Sequence, residues 1–236
     1  MGDLSWLTRR PIAHRGYHDM NRGRWENTLS AFEAAIERGY AIECDVHLAA
    51  DGVPVVFHDS ALGRLTGRDG FVHAMTAAAL TQLTIGGTQD RIPTLAEMLA
   101  RVGGRVPLVI ELKGAEGKDE ALVAAVAKTL AGYDGKAAIM SFDRWLVRRF
   151  ASDAPGIPAG LTAEGIAMPA LEAHFSMLAH PISFVSFSVA DLPNPFVAFV
   201  REKLAMPVIT WTVRNEHAKA ATFAHADQMT FEGFEA

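Results

Sequence analysis

Acidic and basic side chains follow several short apolar segments of this sequence. Glu43 and Asp45 lie two positions apart in one segment, and Glu111 and Lys113 lie two positions apart in another. Because successive side chains of a strand point to opposite faces, each pair shares one face. If both faces point into one site, three carboxylates converge there, and burying them without a partner is costly. The pattern predicts one divalent cation that prefers oxygen ligands, Mg²⁺ or Ca²⁺. The alternative is a solvent-facing surface with ordinary salt bridges.

Two histidines are candidates for proton transfer at the same place. His14 ends the first apolar segment. An Asp51-Gly52 pair between two apolar runs is typical of a hairpin turn, which would fold His58 back toward Asp45. Imidazole is the common proton carrier near neutral pH, so His14 and His58 are the candidate acid and base. The other seven histidines are interpreted as structural: His18, His47, His73, His174, His180, His217 and His225.

Positive charge and aromatic rings complete the candidate site. Arg15 and Lys113 suit a phosphate group, the first as a planar fork and the second as a point charge. A metal ion, two histidines and two cations together describe phosphoryl-oxygen chemistry, with charge stabilised at the non-bridging oxygens. Trp211, Phe142 and Phe187 are candidate walls of the substrate pocket. The alternative is that these rings belong to the barrel core, which suits Phe187 at least as well.

Composition and charge exclude several classes of protein. The chain has 236 residues, a net charge of −5 and one cysteine. The acidic balance gives no support to a nucleic-acid partner. Cys44 alone excludes an internal disulfide framework and fits a reducing compartment. No apolar run of about 18 residues predicts a membrane span, and the first ten residues lack a signal-peptide core. We expect a cytoplasmic protein without stable membrane insertion, whose oligomeric state the sequence leaves open.

Short apolar segments alternate with segments of helical spacing along the whole chain. The segments interpreted as strands are Pro11–His14, Ala41–Val46, Pro107–Leu112, Ala137–Phe142, Ile157–Thr162, Ile182–Phe187, Pro207–Val213 and Gln228–Phe231. This alternation favours βαβ units and a parallel sheet. Eight strands favour a closed (β/α)8 TIM barrel, which typically needs about 250 residues. A doubly wound open sheet is the alternative, but no Gly-x-Gly-x-x-Gly turn follows the first strand. We predict one domain over residues 1–236.

The segment after the second strand does not follow the simple alternation. Residues 53–58 are predicted to return antiparallel after the Asp51-Gly52 turn. Residues 60–92 contain several glycines and a short helix near Thr76–Leu83. We interpret residues of about 47–92 as a small insertion in the barrel.

Helix boundaries are indicated at several positions. Gly39 is a natural stop for the helix that precedes it. Thr94 and Glu97 form a capping box at the start of another helix. Asn194 and Asn215 are predicted N-caps of the last two helices.

A set of short motifs runs through the sequence in a specific order. They are His14-Arg15-Gly16, Glu26-Asn27-Thr28, Glu43-x-Asp45-Val46, Asp51-Gly52, Val55-Val56-Phe57-His58-Asp59, Pro93-Thr94-Leu95, Glu111-Leu112-Lys113, Ser141-Phe142 and Trp211-Thr212-Val213. Each motif alone has low specificity, whereas their order and spacing together are highly specific. From about residue 11 to the end, the sequence resembles the glycerophosphodiester phosphodiesterase family.

The resemblance implies a (β/α)8 barrel that hydrolyses glycerophosphodiesters to sn-glycerol 3-phosphate and an alcohol. The matching positions imply a role for each site residue: a divalent metal ion held by Glu43, Asp45 and Glu111, an acid/base pair of His14 and His58, phosphate contacts by Arg15 and Lys113, and a supporting role for Glu26. The resemblance leaves the assignment of acid and base, and of Mg²⁺ or Ca²⁺, open.

The sequence departs from the family pattern at a few positions. Ala49 replaces a common Thr, Arg214 replaces an Asn, and Thr230-Phe231-Glu232-Gly233 replaces Thr-Asp before a proline. None of these changes removes a catalytic group, so they concern substrate preference. Two other functions are alternatives: a lysophospholipase D-type enzyme with an apolar channel, and a barrel that only binds phosphorylated ligands. The presence of both histidines and all three carboxylates argues against the binding-only barrel.

Overall fold

A nine-stranded sheet is the centre of the computed structural model, which describes residues 3–115 and 117–236. The strands are β1 (Ile12–Ala13), β2 (Ala41–Leu48), β3 (Pro54–Val56), β4 (Leu108–Leu112), β5 (Ala137–Ser141), β6 (Ala159–Ala163), β7 (Phe184–Ser188), β8 (Val208–Val213) and β9 (Gln228–Phe231). The sheet order is β1-β9-β8-β7-β6-β5-β4-β2-β3, and parallel pairing of β1 with β2 closes the ring. The eight strands other than β3 therefore form the predicted TIM barrel. The single-domain prediction extends to residues 1, 2 and 116, which lie outside the described residues.

Helices connect the strands. They are α1 (Ser5–Thr8), α2 (Leu29–Glu37), α3 (Gly63–Thr66), α4 (Ala77–Leu80), α5 (Leu95–Val102), α6 (Leu122–Leu130), α7 (Arg144–Val147), α8 (Phe150–Asp153), α9 (Met168–Met177), α10 (Pro195–Lys203) and α11 (Glu216–His225). The predicted capping box of Thr94 and Glu97 opens α5, and the side chains of Asn194 and Asn215 cap α10 and α11. Within the described ranges, none of these helices is both long and apolar enough to cross a membrane.

The short strand β3 lies beside the part of β2 that β1 leaves unpaired. Val46 of β2 pairs with β4 on one edge and with Val56 of β3 on the other. Gly52 in the connecting turn has φ of 77°, a left-handed conformation that glycine adopts without strain. The Phe57 N–H then donates to the carbonyl of Asp45 at 3.0 Å. The predicted antiparallel return is confirmed, and it carries the following residue, His58, to the end of the barrel.

Alternation along each strand divides the side chains of the barrel strands into an inner and an outer set. The lower inner layer is apolar and consists of Ile12, Ala41, Val109, Ala138, Met140, Phe184 and Ile209, with Leu7 beneath it. The outer set packs against the helices and includes Ile42, Cys44, Val46, Leu108, Ile110 and Leu112. Glu43, Asp45 and Glu111 alternate with these outer residues. They therefore point into the barrel, above its apolar layer.

Some sequence predictions differ from the structure. Phe187 is fully buried in the outer set, with its ring centroid 5.8 Å from His174 on α9 and 6.2 Å from Phe196 on α10. The interpretation of Phe187 as a pocket wall is wrong, because its position in β7 points it toward the helices. Strand β1 is shorter than predicted, and His14 follows it instead of ending it. Helix α9 carried no clear apolar stripe and was not predicted.

We predict that a buried hydroxyl pair stabilises the contact of α11 with the barrel. Thr210 of β8 and Thr222 of α11 are fully buried, with their Oγ1 atoms 2.7 Å apart. Thr210→Val leaves the Thr222 hydroxyl without this partner and should lower the free energy of unfolding by about 1–2 kcal/mol. The double variant, with Thr222→Val added, should recover part of the loss, because both polar groups are then removed. Urea denaturation measures both values. Simple additivity of the two single losses would contradict the pairing.

Candidate active site

The residues predicted to act lie together at the carboxyl ends of the barrel strands. They line a cavity of about 290 Å³ that also includes Ser188, Thr212, Arg214 and Thr230. The predicted residues in this lining are His14, Arg15, Glu43, Asp45, His58, Glu111, Lys113, Phe142 and Trp211. Glu26 lies behind the lining and contacts Arg15. A larger cleft of about 500 Å³, beside Trp6 and Tyr133, lies at the opposite end of the barrel, away from these groups.

Three buried carboxylates form the centre of the site. One oxygen from each of Glu43, Asp45 and Glu111 lies within 4.8 Å of the others. Burial and then repulsion from Asp45 and Glu111 raise the pKa of Glu43 well above its usual value. Burial is also the main reason why the pKa of Glu111 rises to about 7. Burial acts against ionisation of Asp45 too, but Lys113 and Arg15 outweigh it and hold its pKa below the usual range. The neighbouring cations therefore balance only part of the negative charge of the three carboxylates.

This donor set fits a hard divalent cation. The Oε1 atom of Glu43 is buried and has no hydrogen-bond partner among the described residues, whereas Oε2 accepts the Arg15 N–H at 2.9 Å. Carboxylate oxygens are the ligands that Mg²⁺ and Ca²⁺ prefer. A cation held by Glu43, Asp45 and Glu111 would give Glu43 Oε1 a partner. Its positive charge would also lower the raised pKa values of Glu43 and Glu111.

Arg15 and Asn27 hold the carboxylates through unusual backbone conformations. Both residues have positive φ, 53° for Arg15 and 55° for Asn27, which is uncommon outside glycine. The Asn27 N–H donates to the Arg15 carbonyl, and its side-chain amide donates to Asp45 Oδ2 at 2.8 Å. A Cβ at position 16 would lie 2.9 Å from the Phe32 ring, so only glycine fits at this position. The strained turn is thus what aims Arg15 and Asn27 at Asp45.

Two cations lie directly on this cluster. Lys113 Nζ lies 3.1 Å from Asp45 Oδ1 and also contacts Glu111 Oε1. Burial acts against its charge, but Asp45 and Glu111 outweigh burial and raise the pKa of Lys113. Arg15 Nε lies 3.2 Å from Asp45 Oδ2, and Arg15 Nη1 donates to Glu26 Oε1 at 2.6 Å. Both side chains stay charged at neutral pH.

Each candidate histidine has a carboxylate at Nδ1. His14 Nδ1 lies 2.5 Å from Glu232 Oε2, and His58 Nδ1 lies 2.7 Å from Asp59 Oδ1. The Nε2 atom of His14 faces Glu43, at 4.0 Å from its Oε2. Burial lowers the pKa of both imidazoles. This arrangement can hold a neutral imidazole whose second nitrogen faces the cavity.

An ion-pair chain connects the two sides of the cavity. Arg64, on α3 of the insertion, donates to both oxygens of Glu26 at 2.8 and 3.0 Å and to both oxygens of Asp59 at 2.7 and 2.9 Å. Glu26 in turn binds Arg15, and Asp59 binds His58. The insertion therefore helps to position a residue on each side of the site.

The remaining predicted residues divide between the pocket and the scaffold. The rings of Trp211 and Phe142 meet edge to face at 5.1 Å in the cavity wall, and Trp211 Nε1 is buried without a hydrogen-bond partner in the described ranges 3–115 and 117–236. His47 Nε2–H donates to the His58 carbonyl at 2.9 Å, and His18 lies beside Glu232. These two histidines support the site, whereas His174 bonds the Glu164 carbonyl outside it.

Comparisons with known proteins identify the family of this chain. The model of the glycerophosphoryl diester phosphodiesterase family matches residues 14–234. The chain belongs to this family. A glycerophosphodiester phosphodiesterase of Caldanaerobacter subterraneus subsp. tengcongensis is 35% identical over 162 residues, which are 64% of this chain and 65% of that protein.

Solved structures extend the comparison over nearly the whole fold of this family member. An Oleispira antarctica phosphodiesterase in complex with the product sn-glycerol-3-phosphate has a TM-score of 0.81 and 27% identity, covering 96% of this chain and 94% of the other. A glycerophosphodiester phosphodiesterase from Thermotoga maritima has a TM-score of 0.75 and 25% identity, with 94% coverage of both chains.

Some contacts of this family member were not predicted from its sequence. Asn27 and Asp59 occur in the matched motifs, but no role was assigned to them. Glu232 had no local signal, because His14 lies 218 positions away, and of the two carboxylates that Arg64 contacts only Asp59 is near it in the chain. An arginine a few residues after His58-Asp59 is the one pattern that points to Arg64.

We predict that Arg64 stabilises this family member in a pH-dependent way. Burial opposes ionisation of Glu26, but Arg64 and then Arg15 outweigh burial and hold the pKa of Glu26 at about 2. Arg64 is also the main reason why the pKa of Asp59 is about 2. The stabilisation is therefore present above the usual pKa values near 4 and is lost as the pH falls through about 2.

Arg64→Met should lower the free energy of unfolding at pH 7 by on the order of 1 kcal/mol, a discounted value because Arg64 is partly exposed. Urea denaturation at pH 7 and pH 3 should show a smaller loss at pH 3. Arg105→Met, which breaks the exposed Arg105–Glu33 pair, is the matched control and should have less effect at pH 7. Equal losses at the two pH values for Arg64→Met would show that its contribution is not ionic.

Proposed function

We propose that this chain hydrolyses glycerophosphodiesters to sn-glycerol 3-phosphate and an alcohol. The observation that carries the proposal is the convergence of three buried carboxylates, two carboxylate-paired histidines and two cations on one cavity. The product bound by the Oleispira relative supports the same substrate class. The acidic net charge of −5 gives no support to a nucleic-acid substrate.

The metal site is proposed to consist of Glu43, Asp45 and Glu111, with Mg²⁺ or Ca²⁺ as the cation. When bound, such a cation polarises a phosphoryl oxygen and lowers the pKa of bound water. The residues around it do the positioning: Asn27 fixes Asp45, and the Arg15 N–H fixes one oxygen of Glu43. Lys113 and Arg15 contact Asp45 and keep its pKa below the usual range.

Phosphate binding is assigned to Arg15 and Lys113. Both side chains line the cavity beside the carboxylates, so their charge is available to the non-bridging oxygens of a bound diester. Glu26 supports Arg15 from behind the cavity and keeps its guanidinium in place. Trp211 lies in the cavity wall beside Phe142 and provides an aromatic surface for the substrate.

Proton transfer is assigned to His14 and His58. One imidazole removes the proton of the attacking hydroxyl, and the other protonates the departing alkoxide. Carboxylates at both Nδ1 atoms leave the Nε2 atoms for these transfers. Direct attack by water and attack by a glycerol hydroxyl, followed by opening of a cyclic phosphate, use the same pair of groups.

The size of the cavity favours a small, deacylated diester. A volume of about 290 Å³ is at the lower end of small-molecule sites, which span about 300–1,000 Å³. A lysophospholipase D-type activity is the second candidate, and the exposed ring of Phe142 in the cavity wall favours it. A cytoplasmic location is also proposed, since the buried free thiol of Cys44 fits a reducing compartment.

We predict metal-dependent turnover of glycerophosphocholine. EDTA should abolish release of sn-glycerol 3-phosphate, and Mg²⁺ or Ca²⁺ should restore it. Glu43→Gln should weaken metal affinity and lower kcat by at least about 10²-fold, because it removes a charged ligand. Glu37→Gln, a change at an exposed glutamate at the end of α2, is the control and should have no effect on either value. Activity with EDTA equal to that with metal would refute the metal site, and faster turnover of lysophosphatidylcholine would favour the second candidate.

We predict that the two histidines differ in their response to the leaving group. His14→Ala and His58→Ala should each slow hydrolysis of glycerophosphocholine by about 10²–10⁴-fold, the usual contribution of a positioned acid or base. A nitrophenyl diester needs no acid, so the variant that lacks the acid should recover much of its rate on that substrate. The variant that lacks the base should not recover. Near-wild-type rates of both variants on glycerophosphocholine would rule out the two-histidine mechanism.

A further inference from the structure

Glu232 is a buried carboxylate just after β9 and is surrounded by donors. Its Oε2 lies 2.5 Å from His14 Nδ1 and 3.4 Å from His18 Nε2, and its Oε1 accepts from Arg214 Nε at 2.7 Å. Glu232 itself is 8% exposed, and it is not part of any motif that indicated the site. Burial opposes its ionisation, but His14 and His18 outweigh burial and hold its pKa below the usual range.

The hydrogen bonds determine the tautomers of both histidines. The Met20 N–H donates to His18 Nδ1 at 3.1 Å, so Nδ1 carries the lone pair and the proton of His18 is on Nε2. An ionised Glu232 can only accept, so His14 donates to it from a protonated Nδ1. The Nε2 atom of neutral His14 then carries the lone pair and faces the carboxylate cluster.

The same three residues have the composition of a metal site, but the geometry argues against one. Their ligand atoms lie within 4.8 Å of one another. However, 2.5 Å between His14 Nδ1 and Glu232 is a hydrogen-bond distance, whereas two ligands of one tetrahedral Zn²⁺ lie about 3.3 Å apart. A metal at His18 Nε2 would require the lone pair that His18 uses at Nδ1. The Arg214 guanidinium also supplies the positive charge that Glu232 needs.

We propose that Glu232 is a positioning residue for His14, which it holds in the Nδ1–H tautomer with Nε2 directed at the reacting phosphate. This inference rests on the proposed function, in which His14 transfers a proton. Glu232 stabilises the imidazolium that forms when His14 takes up a proton, as buried carboxylates do in other His–carboxylate pairs. The hydrogen bond from Arg214 keeps the carboxylate in place, and His18 Nε2 lies 3.4 Å from it.

The other histidine provides internal support for this assignment. His58 Nδ1 also contacts a carboxylate, Asp59, and that carboxylate is also held by an arginine, Arg64. The two sets come from different parts of the chain, the first from β9 and the loop after β8, the second from the insertion. The same order of histidine, carboxylate and arginine on both sides of one cavity indicates a shared requirement to orient two imidazoles.

Glu232→Gln tests the proposal without a large change of shape. Whichever way the amide turns, its NH₂ group faces either Arg214 or the histidines, which are donors as well. We expect kcat for glycerophosphocholine to fall by about 10²-fold or more with KM changed by less than about threefold, by analogy with neutralised carboxylates of catalytic histidines. Thermal denaturation checks that the variant is folded.

A double variant separates positioning from a structural role. With His14→Ala as background, adding Glu232→Gln should change the residual rate on a nitrophenyl diester by less than about twofold, because Glu232 acts through His14. An equal loss in both backgrounds, or a loss confined to KM, would overturn the proposal. In the Mg²⁺-loaded wild-type protein, ring-¹⁵N histidine spectra should show His14 as the Nδ1–H tautomer, and an Nε2–H tautomer would also overturn it. If the Mg²⁺-loaded wild-type protein releases no sn-glycerol 3-phosphate from glycerophosphocholine, the proposed function fails instead, and the two failures are thereby distinguished.

Discussion

The burial of three carboxylates at the end of one barrel is the constraint on which the arrangement of the site depends. Glu43, Asp45 and Glu111 are each less than 9% exposed, and like charges at this separation raise one another's pKa. Removing such groups from water without compensation would cost several kcal/mol per ion. The positive charges of Arg15 and Lys113 offset part of this cost, and a divalent cation held by the three carboxylates would offset the remainder.

Compensation comes from segments that are distant in the sequence. Arg15 and Asn27 lie in the loop after β1, and their left-handed backbone conformations are what allow both to reach Asp45. Lys113 follows β4 on the same face as Glu111. Backbone strain at Arg15 and Asn27 is therefore tolerated because the contacts that it permits stabilise buried charge.

The hairpin of β2 and β3 explains how two histidines reach one cavity. Strand β1 is only two residues long and pairs with the first part of β2, so β3 can pair with the last part on the same side. Because β3 runs antiparallel to β2, it brings His58 back to the level of Asp45. His14 directly follows β1 at the same end of the barrel. A longer β1 would pair with this part of β2 and exclude β3. The position of His58 therefore depends on the shortness of β1.

These relations show which parts of the protein the sequence could predict. Side-chain alternation within a strand is local, so the shared face of Glu43 and Asp45 and the hairpin at Asp51-Gly52 followed from the pattern alone. Phe187 was ambiguous because its face depends on where β7 begins, which an apolar run does not define. The contacts of Arg64 with Glu26 and of Glu232 with His14 join residues 38 and 218 positions apart, and no local pattern encodes them. The residues that could not be predicted are thus the carboxylates and arginines that contact the reacting groups from behind. A carboxylate reaching Nδ1 from another strand position would orient the imidazole equally well, so no fixed position in the chain marks the residue that does so.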